Sequence, residues 1–261
     1  MTLSGTDATM PWCAEKSRWP LVAIKYLLEQ RITDGPHETP DFLGEGRPFL
    51  SVDGIQEGEL IFEGCRFVSE EQYLEFRKKA APKFGDILFG KAASTGKIAR
   101  VKSGTEFSIW SPLALLRPDQ TVLDPTYFEY ALKSQIAQAQ VDVLKTTNTQ
   151  NNISMDAIPR IQIPLPPISV QRLISEFLEK ETARLGALIR EKERVLGLLA
   201  EKRRALITRA VTRGLDPRAP LRDSGIPWLG EIPAHWETRR VAWLFRERDE
   251  RGEPDLTLLE V

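Results

Sequence analysis

The chain has 261 residues, 41% hydrophobic content, no run of about 18 apolar residues and a net charge of −1. These values predict one or two soluble globular domains and exclude a membrane span and a uniformly basic nucleic-acid coat. The opening MTLSGTDATM has neither a basic segment nor an apolar core, so no signal peptide is expected and the compartment reads as cytoplasmic. Two cysteines (Cys13, Cys65) and two histidines (His37, His235), widely separated, make neither a disulfide framework nor a zinc site.

Residues 19 to 160 read as an α+β domain. Charge is segregated along it: Glu57, Glu59, Glu63, Glu70, Glu71 and Glu75 precede a tract from Arg77 to Thr105 in which Asp86 is the sole acid. Short β-type runs are expected at Gly85–Phe89, Lys97–Val101 and Phe107–Trp110, and a helix over Pro125 to Ala139 with Asp124 as its cap and Pro125 in its first turn. Asp124-Pro125-Thr126-Tyr127-Phe128 is therefore read as a helix start, not as an amino-methyltransferase motif, because Thr126 stands where that motif has a second proline. Gly90 to Lys97 has five residues between its glycines where a phosphate loop needs four, and Ile98 where magnesium would need Ser or Thr, so it reads as a plain loop. Nuclease chemistry finds no support either, since no Glu-x-Lys follows Pro118-Asp119.

At Ile163-Pro164-Leu165-Pro166-Pro167 the prolines force an extended connector. Ser169 is a plausible N-cap beyond it, and no proline recurs before Pro217. Ile174, Glu181, Leu188, Val195 and Lys202 fall on one heptad position; Leu178, Leu185, Lys192, Leu199 and Leu206 fall on another, and Ile189 and Leu196 widen the stripe. The pattern predicts a long coiled-coil-forming helix of about 60 Å that needs a partner helix and ends at Gly214. A weak internal repeat follows. At an offset of 217 residues Trp236 falls on Trp19, Val241 on Ile24, Trp243 on Tyr26, Leu244 on Leu27, Arg248 on Arg31 and Gly252 on Gly35, while Ile226-Pro227-Trp228 echoes Met10-Pro11-Trp12 one residue out of step.

The succession from Ile163 to Pro217, followed by SGIPWLGEIPAHWE (residues 224 to 237), resembles the central conserved region of specificity subunits of type I restriction-modification systems. GDILFGKAASTGKIAR (85 to 100) and TQNNIS (149 to 154) are similar to parts of their target-recognition domains. The resemblance implies a DNA-recognition subunit without catalysis of its own. It would direct methyltransferase subunits, which bind S-adenosylmethionine, and a restriction-translocase subunit, which uses ATP and Mg, to a bipartite site on double-stranded DNA. It also implies three parts: a first target-recognition domain at 1–163, a proline connector and central helix at 164–216, and the start of an incomplete second recognition domain at 217–261. A homodimer through the long helix would then supply the missing helix. The interface residues would be Ile174, Leu178, Leu185, Leu188, Ile189, Val195, Leu196, Leu199 and Leu206.

DNA contacts are expected in two polar loops. Lys83, Lys91, Lys97, Arg100, Lys102 and Lys145 have the charge for phosphate, and Ser94, Thr95 and Thr146 can bond phosphate or base edges. Asn148, Gln150, Asn151 and Asn152 have the amides for bidentate pairing with adenine. Rival readings are a methyltransferase or nuclease acting alone and a coiled-coil protein without DNA affinity. Neither a catalytic residue nor a metal ligand is assigned in this chain.

Overall fold

The structure, a computed structural model, describes residues 19–147 and 151–245. Met10, Pro11, Trp12 and Cys13, the amides of Asn148 and Gln150, and Arg248 and Gly252 of the repeat lie outside the described residues. The chain forms two compact units that divide between Ala183 and Arg184.

The first unit is organised by a four-stranded antiparallel sheet in the order Thr33–Asp34, Leu113–Leu116, Ile87–Gly90, Ile98–Arg100. Its central strands read LALL and ILFG without polar alternation, as expected where both faces are covered. Successive side chains alternate between the faces. Ile87, Phe89, Ala114, Leu116 and Ile98 enter one core together with Tyr127, Phe128, Leu132 and Val141 of two helices. Leu88, Ala99, Leu113 and Leu115 enter another with Leu50, Val52, Ile55, Phe107 and Ile109. A three-stranded sheet lies beyond the latter, with Arg47–Leu50 between antiparallel Arg66–Val68 and parallel Ser108–Ile109. The first strand among the described residues, Leu21–Ala23, pairs with Gln162–Pro164 just before the connector.

Four α-helices are described: α1 (Glu70–Arg77), α2 (Pro125–Lys133), α3 (Gln135–Leu144) and α4 (Ile168–Arg213). The single helix expected over Pro125 to Ala139 is in fact two. Ser134 adopts an extended conformation, ends α2, and its hydroxyl accepts from the Ala137 N–H at the start of α3. The expected start of α2 holds, with Asp124 accepting from the Tyr127 N–H at 2.8 Å. Ser169 is not the cap of α4, which already begins at Ile168; the N–H groups of Val170 and Gln171 both donate to the Pro167 carbonyl. Gly214, at φ +74°, ends α4 as the sequence predicts.

In the second unit, the outer part of α4 is followed by a hairpin pairing Leu221–Asp223 with Glu231–Pro233. A short 3-10 turn then spans Val241–Trp243. A matching turn spans Ile24–Tyr26 in the first unit, at the same 217-residue offset and after a residue in the same extended conformation, Ala23 or Arg240. Ile24 is fully buried there, whereas Val241 is exposed.

Candidate nucleic-acid interface

The loop from Gly90 to Lys97 joins the central strand Ile87–Gly90 to the edge strand Ile98–Arg100 and is shaped by its own backbone. The Gly90 N–H donates to the Lys97 carbonyl and the Gly96 N–H to the Gly90 carbonyl, each at 2.8 Å. A Cβ at position 90 would lie 2.6 Å from the Ser94 carbonyl oxygen, so glycine is needed for this approach. Gly96 has φ +89° and Ala93 also takes a left-handed conformation, at φ 63°. Thr146–Thr147 and Asn151–Asn152 form a second polar element, an antiparallel hairpin in which Thr146 faces Asn152 and its hydroxyl donates to the Asn152 carbonyl.

These two elements, some fifty residues apart in sequence, meet. Ala92 bridges to Asn152, the Ile153 N–H donates to the Lys91 carbonyl at 2.9 Å, and the Thr95 hydroxyl donates to the Asn151 carbonyl at 2.9 Å. Thr95 therefore braces the hairpin. Ser94 beside it is half-buried. Asn151 and Asn152 are exposed, and their side-chain amides make no hydrogen bond to another described residue. Beyond the hairpin, Met155 and Asp156 border a cleft of about 560 Å³ that Lys25 and Arg31 also line.

The basic residues divide by environment. Lys91 does not stand at the surface: its side chain is 11% exposed and its ammonium pairs with the buried Asp34 carboxylate, which Lys79 and His37 also contact. Burial alone would raise the Asp34 pKa, but hydrogen bonds from Lys79 and Lys91 outweigh it and hold the carboxyl below its ordinary range. Arg100 is likewise enclosed, between Glu129 at 3.0 Å and Glu179 at 3.1 Å. Glu129 follows the same logic, with burial raising its pKa and Lys133 and Arg100 drawing it down by more. Lys102 pairs with Glu59, and Lys145 with Asp142 at 2.6 Å.

Lys97 is exposed and donates to the Ile55 carbonyl, and Lys83 is exposed. Of the proposed phosphate contacts in the Arg77-to-Thr105 tract, these two make no ion pair among the described residues. Sequence reasoning missed Asp34, whose Thr-Asp-Gly-Pro context reads as a turn. It missed Glu129 because an acid on an amphipathic helix ordinarily reads as solvated.

Along α4 the expected stripe divides as well. Ile174 is half-buried and packs on the first unit's core, and Leu178 is half-buried. Leu185, Leu188, Ile189, Val195, Leu196, Leu199 and Leu206 are all exposed. Among the described residues no cluster of His, Cys, Asp or Glu is placed to hold a metal, and no helix is long and apolar enough to cross a membrane.

Comparison with known proteins places this arrangement. Residues 40–196, more than half of the chain, match the family model for the type I restriction modification DNA specificity domain. The putative type I restriction enzyme MjaX specificity subunit of Methanocaldococcus jannaschii is 25% identical over 198 residues, which cover 74% of this chain and 44% of that protein. The EcoKI specificity subunit of Escherichia coli K12 is 25% identical over 180 residues, covering 66% and 37%. The chain thus spans less than half the length of these curated relatives. The fold is shared with a chain from a solved type I R-M system (TM-score 0.57, 22% identity, covering 78% of this chain and 48% of that one). It is shared too with the HsdS subunit from Thermoanaerobacter tengcongensis (TM-score 0.51, 17% identity, covering 80% and 53%). With the sheet, the paired polar loops and the long helix all falling within or beside the matched span, the chain belongs to the type I restriction-modification DNA specificity family.

Proposed function

We propose that this chain is a non-catalytic subunit that reads DNA sequence for a type I restriction-modification complex in the cytoplasm. Methyltransferase subunits carrying S-adenosylmethionine, and a restriction-translocase subunit using ATP and Mg, would act where it binds. The observation that most directly supports DNA reading is the junction of the Gly90–Lys97 loop with the Thr146–Asn152 hairpin, which joins a loop ending in an exposed lysine to two exposed amides without a hydrogen-bond partner among the described residues. Asn151 and Asn152 have the donors and acceptors to read adenine, and Lys97 the charge to meet phosphate. The exposed stripe from Leu185 to Leu206 supports a second part of the reading, antiparallel pairing of two copies through α4. Such a dimer would carry one reading surface at each end and suit a split site with inverted halves.

Selection from random duplexes, with and without a methyltransferase partner, tests the proposal; enrichment of no sequence under either condition would overturn it. Two substitutions then separate the roles. Lys97→Ala should weaken all sequences alike and reduce the salt slope by roughly one unit. Asn151→Ala should instead relax one base position at a cost of about 1 to 3 kcal/mol. Uniform loss across positions for Asn151→Ala would remove its base-reading assignment.

A further inference from the structure

The first four turns of α4 carry a row of polar side chains that face the recognition domain. Gln171 is fully buried: its side-chain oxygen accepts from the Asp124 N–H at 2.8 Å, and its amide donates to the carbonyls of Val122 and Pro166 at 2.9 Å each. Ser175 donates to the Asp124 carboxylate at 2.9 Å. Glu179 accepts from Arg100 at 3.1 Å, and Thr182 bonds Tyr130 at 3.2 Å. These positions are spaced by four, four and three residues, the spacing of one face of a helix over successive turns. Asp124 is at once the cap of α2 and the partner of two ladder residues, so the starts of α2 and α4 are fixed to the same group. The bonds described run as far as Thr182, within the first compact unit, which extends to Ala183.

Apolar contacts alone, such as those of Ile174, are non-directional and allow a helix to roll or slide. Hydrogen bonds from a buried amide do not, because a displaced Gln171 would leave its partners on Asp124, Val122 and Pro166 unmade inside the protein. A shift of one residue along α4 would rotate the row by about 100° away from all its partners.

We propose that Gln171, Ser175, Glu179 and Thr182 are positioning residues that lock the direction and rotation of α4 against the recognition domain. Residues Ile168 to Ala183 then belong mechanically to the reading unit, and the part of the helix available as a spacer begins only at Arg184. This rests on the DNA-reading function proposed above for its consequence, that the ladder sets which spacing of split half-sites is accepted.

The test uses the full chain with Cys13→Ala and Cys65→Ala, spin-labelled at Gly104→Cys and Ala183→Cys. The parent should give one narrow distance distribution. Combining Ser175→Ala, Glu179→Ala and Thr182→Ala, with Gln171 kept so that the domain folds, should widen it about twofold, since each lost bond is worth roughly 2- to 12-fold in an equilibrium constant. Gln171→Ala should widen it further if the variant remains folded by circular dichroism. An unchanged width in the triple variant overturns the lock.

In complex with a methyltransferase partner, the triple variant should keep the half-site sequence of the parent while its preference for one half-site spacing falls about tenfold. An undiminished spacing preference removes the functional consequence. A parent chain that selects no DNA defeats the reading proposal instead, and leaves the distance measurement to judge the lock on its own.

Discussion

Changing Leu188 and Val195 together to Asp should leave the chain monomeric at concentrations where the parent associates. Both side chains are exposed on the outer part of α4, and each would be buried twice in an antiparallel pair of copies. Fully burying one such side chain is worth about 1.5 to 3 kcal/mol and only about half of each is exposed, so losing four removes roughly 3 to 6 kcal/mol before the added cost of burying carboxylates. A dimer with a micromolar dissociation constant holds only about 8 kcal/mol. Sedimentation equilibrium over a concentration series checks this directly. A parent that is monomeric at about 50 μM, well above a micromolar dissociation constant, would overturn pairing through α4. A double variant with the parent's mass would do the same.

Asp34→Ala should destabilise the recognition domain by about 3 to 5 kcal/mol, because it strands the enclosed Lys91 ammonium without its counter-charge. Lys79, half exposed, can turn to water; Lys91 cannot. The loss would appear as a lower urea midpoint at constant slope. Replacing both partners, Asp34→Leu with Lys91→Met, should recover most of it, since an apolar pair of similar volume is often as stable as a buried ion pair. The pH dependence has a definite sign. The Asp34 pKa is lower in the folded state, so its contribution is present above the unfolded value of about 4 and disappears as pH falls through the folded one. The gap between parent and Asp34→Ala should therefore be constant near neutrality and close in acid. A single variant within about 0.5 kcal/mol of the parent, the range of an ordinary surface change, would show that Lys91 finds another partner.

The fold was legible where local chemistry dictates it. The Asp124-Pro125 helix start, the proline connector, the termination at Gly214 and the approximate sites of the central strands are all written in short-range patterns. Legibility failed at Ser134, where one polar residue both ends α2 and caps α3 while the apolar periodicity runs through it. The site was half legible. Composition indicated the two polar loops, but nothing in a linear reading brings Ala92 to Asn152 or spends the Thr95 hydroxyl on the Asn151 carbonyl. Charge was the most misleading signal. The tract from Arg77 to Thr105 looks like a basic patch because its acids come from elsewhere: Asp34 and Glu129 reach Lys91 and Arg100, and Glu59 and Glu106 reach Lys102 and Arg77. The gradient from acidic to basic along the chain is thus largely cancelled in space.

That cancellation bears on how such a molecule would locate its target. Strongly basic proteins are drawn to a duplex from a distance, reach association rates of about 10⁸ to 10⁹ M⁻¹s⁻¹, and glide along it on a loose electrostatic hold. A chain with a net charge of −1, whose recognition domain has paired most of this tract's cations internally, has little of that pull. Its encounters would proceed at the ordinary rate of about 10⁵ to 10⁷ M⁻¹s⁻¹, with short excursions along the helix. In the proposed complex, discrimination would then rest on what happens after contact, and the long-range search would fall to a subunit that carries the positive surface.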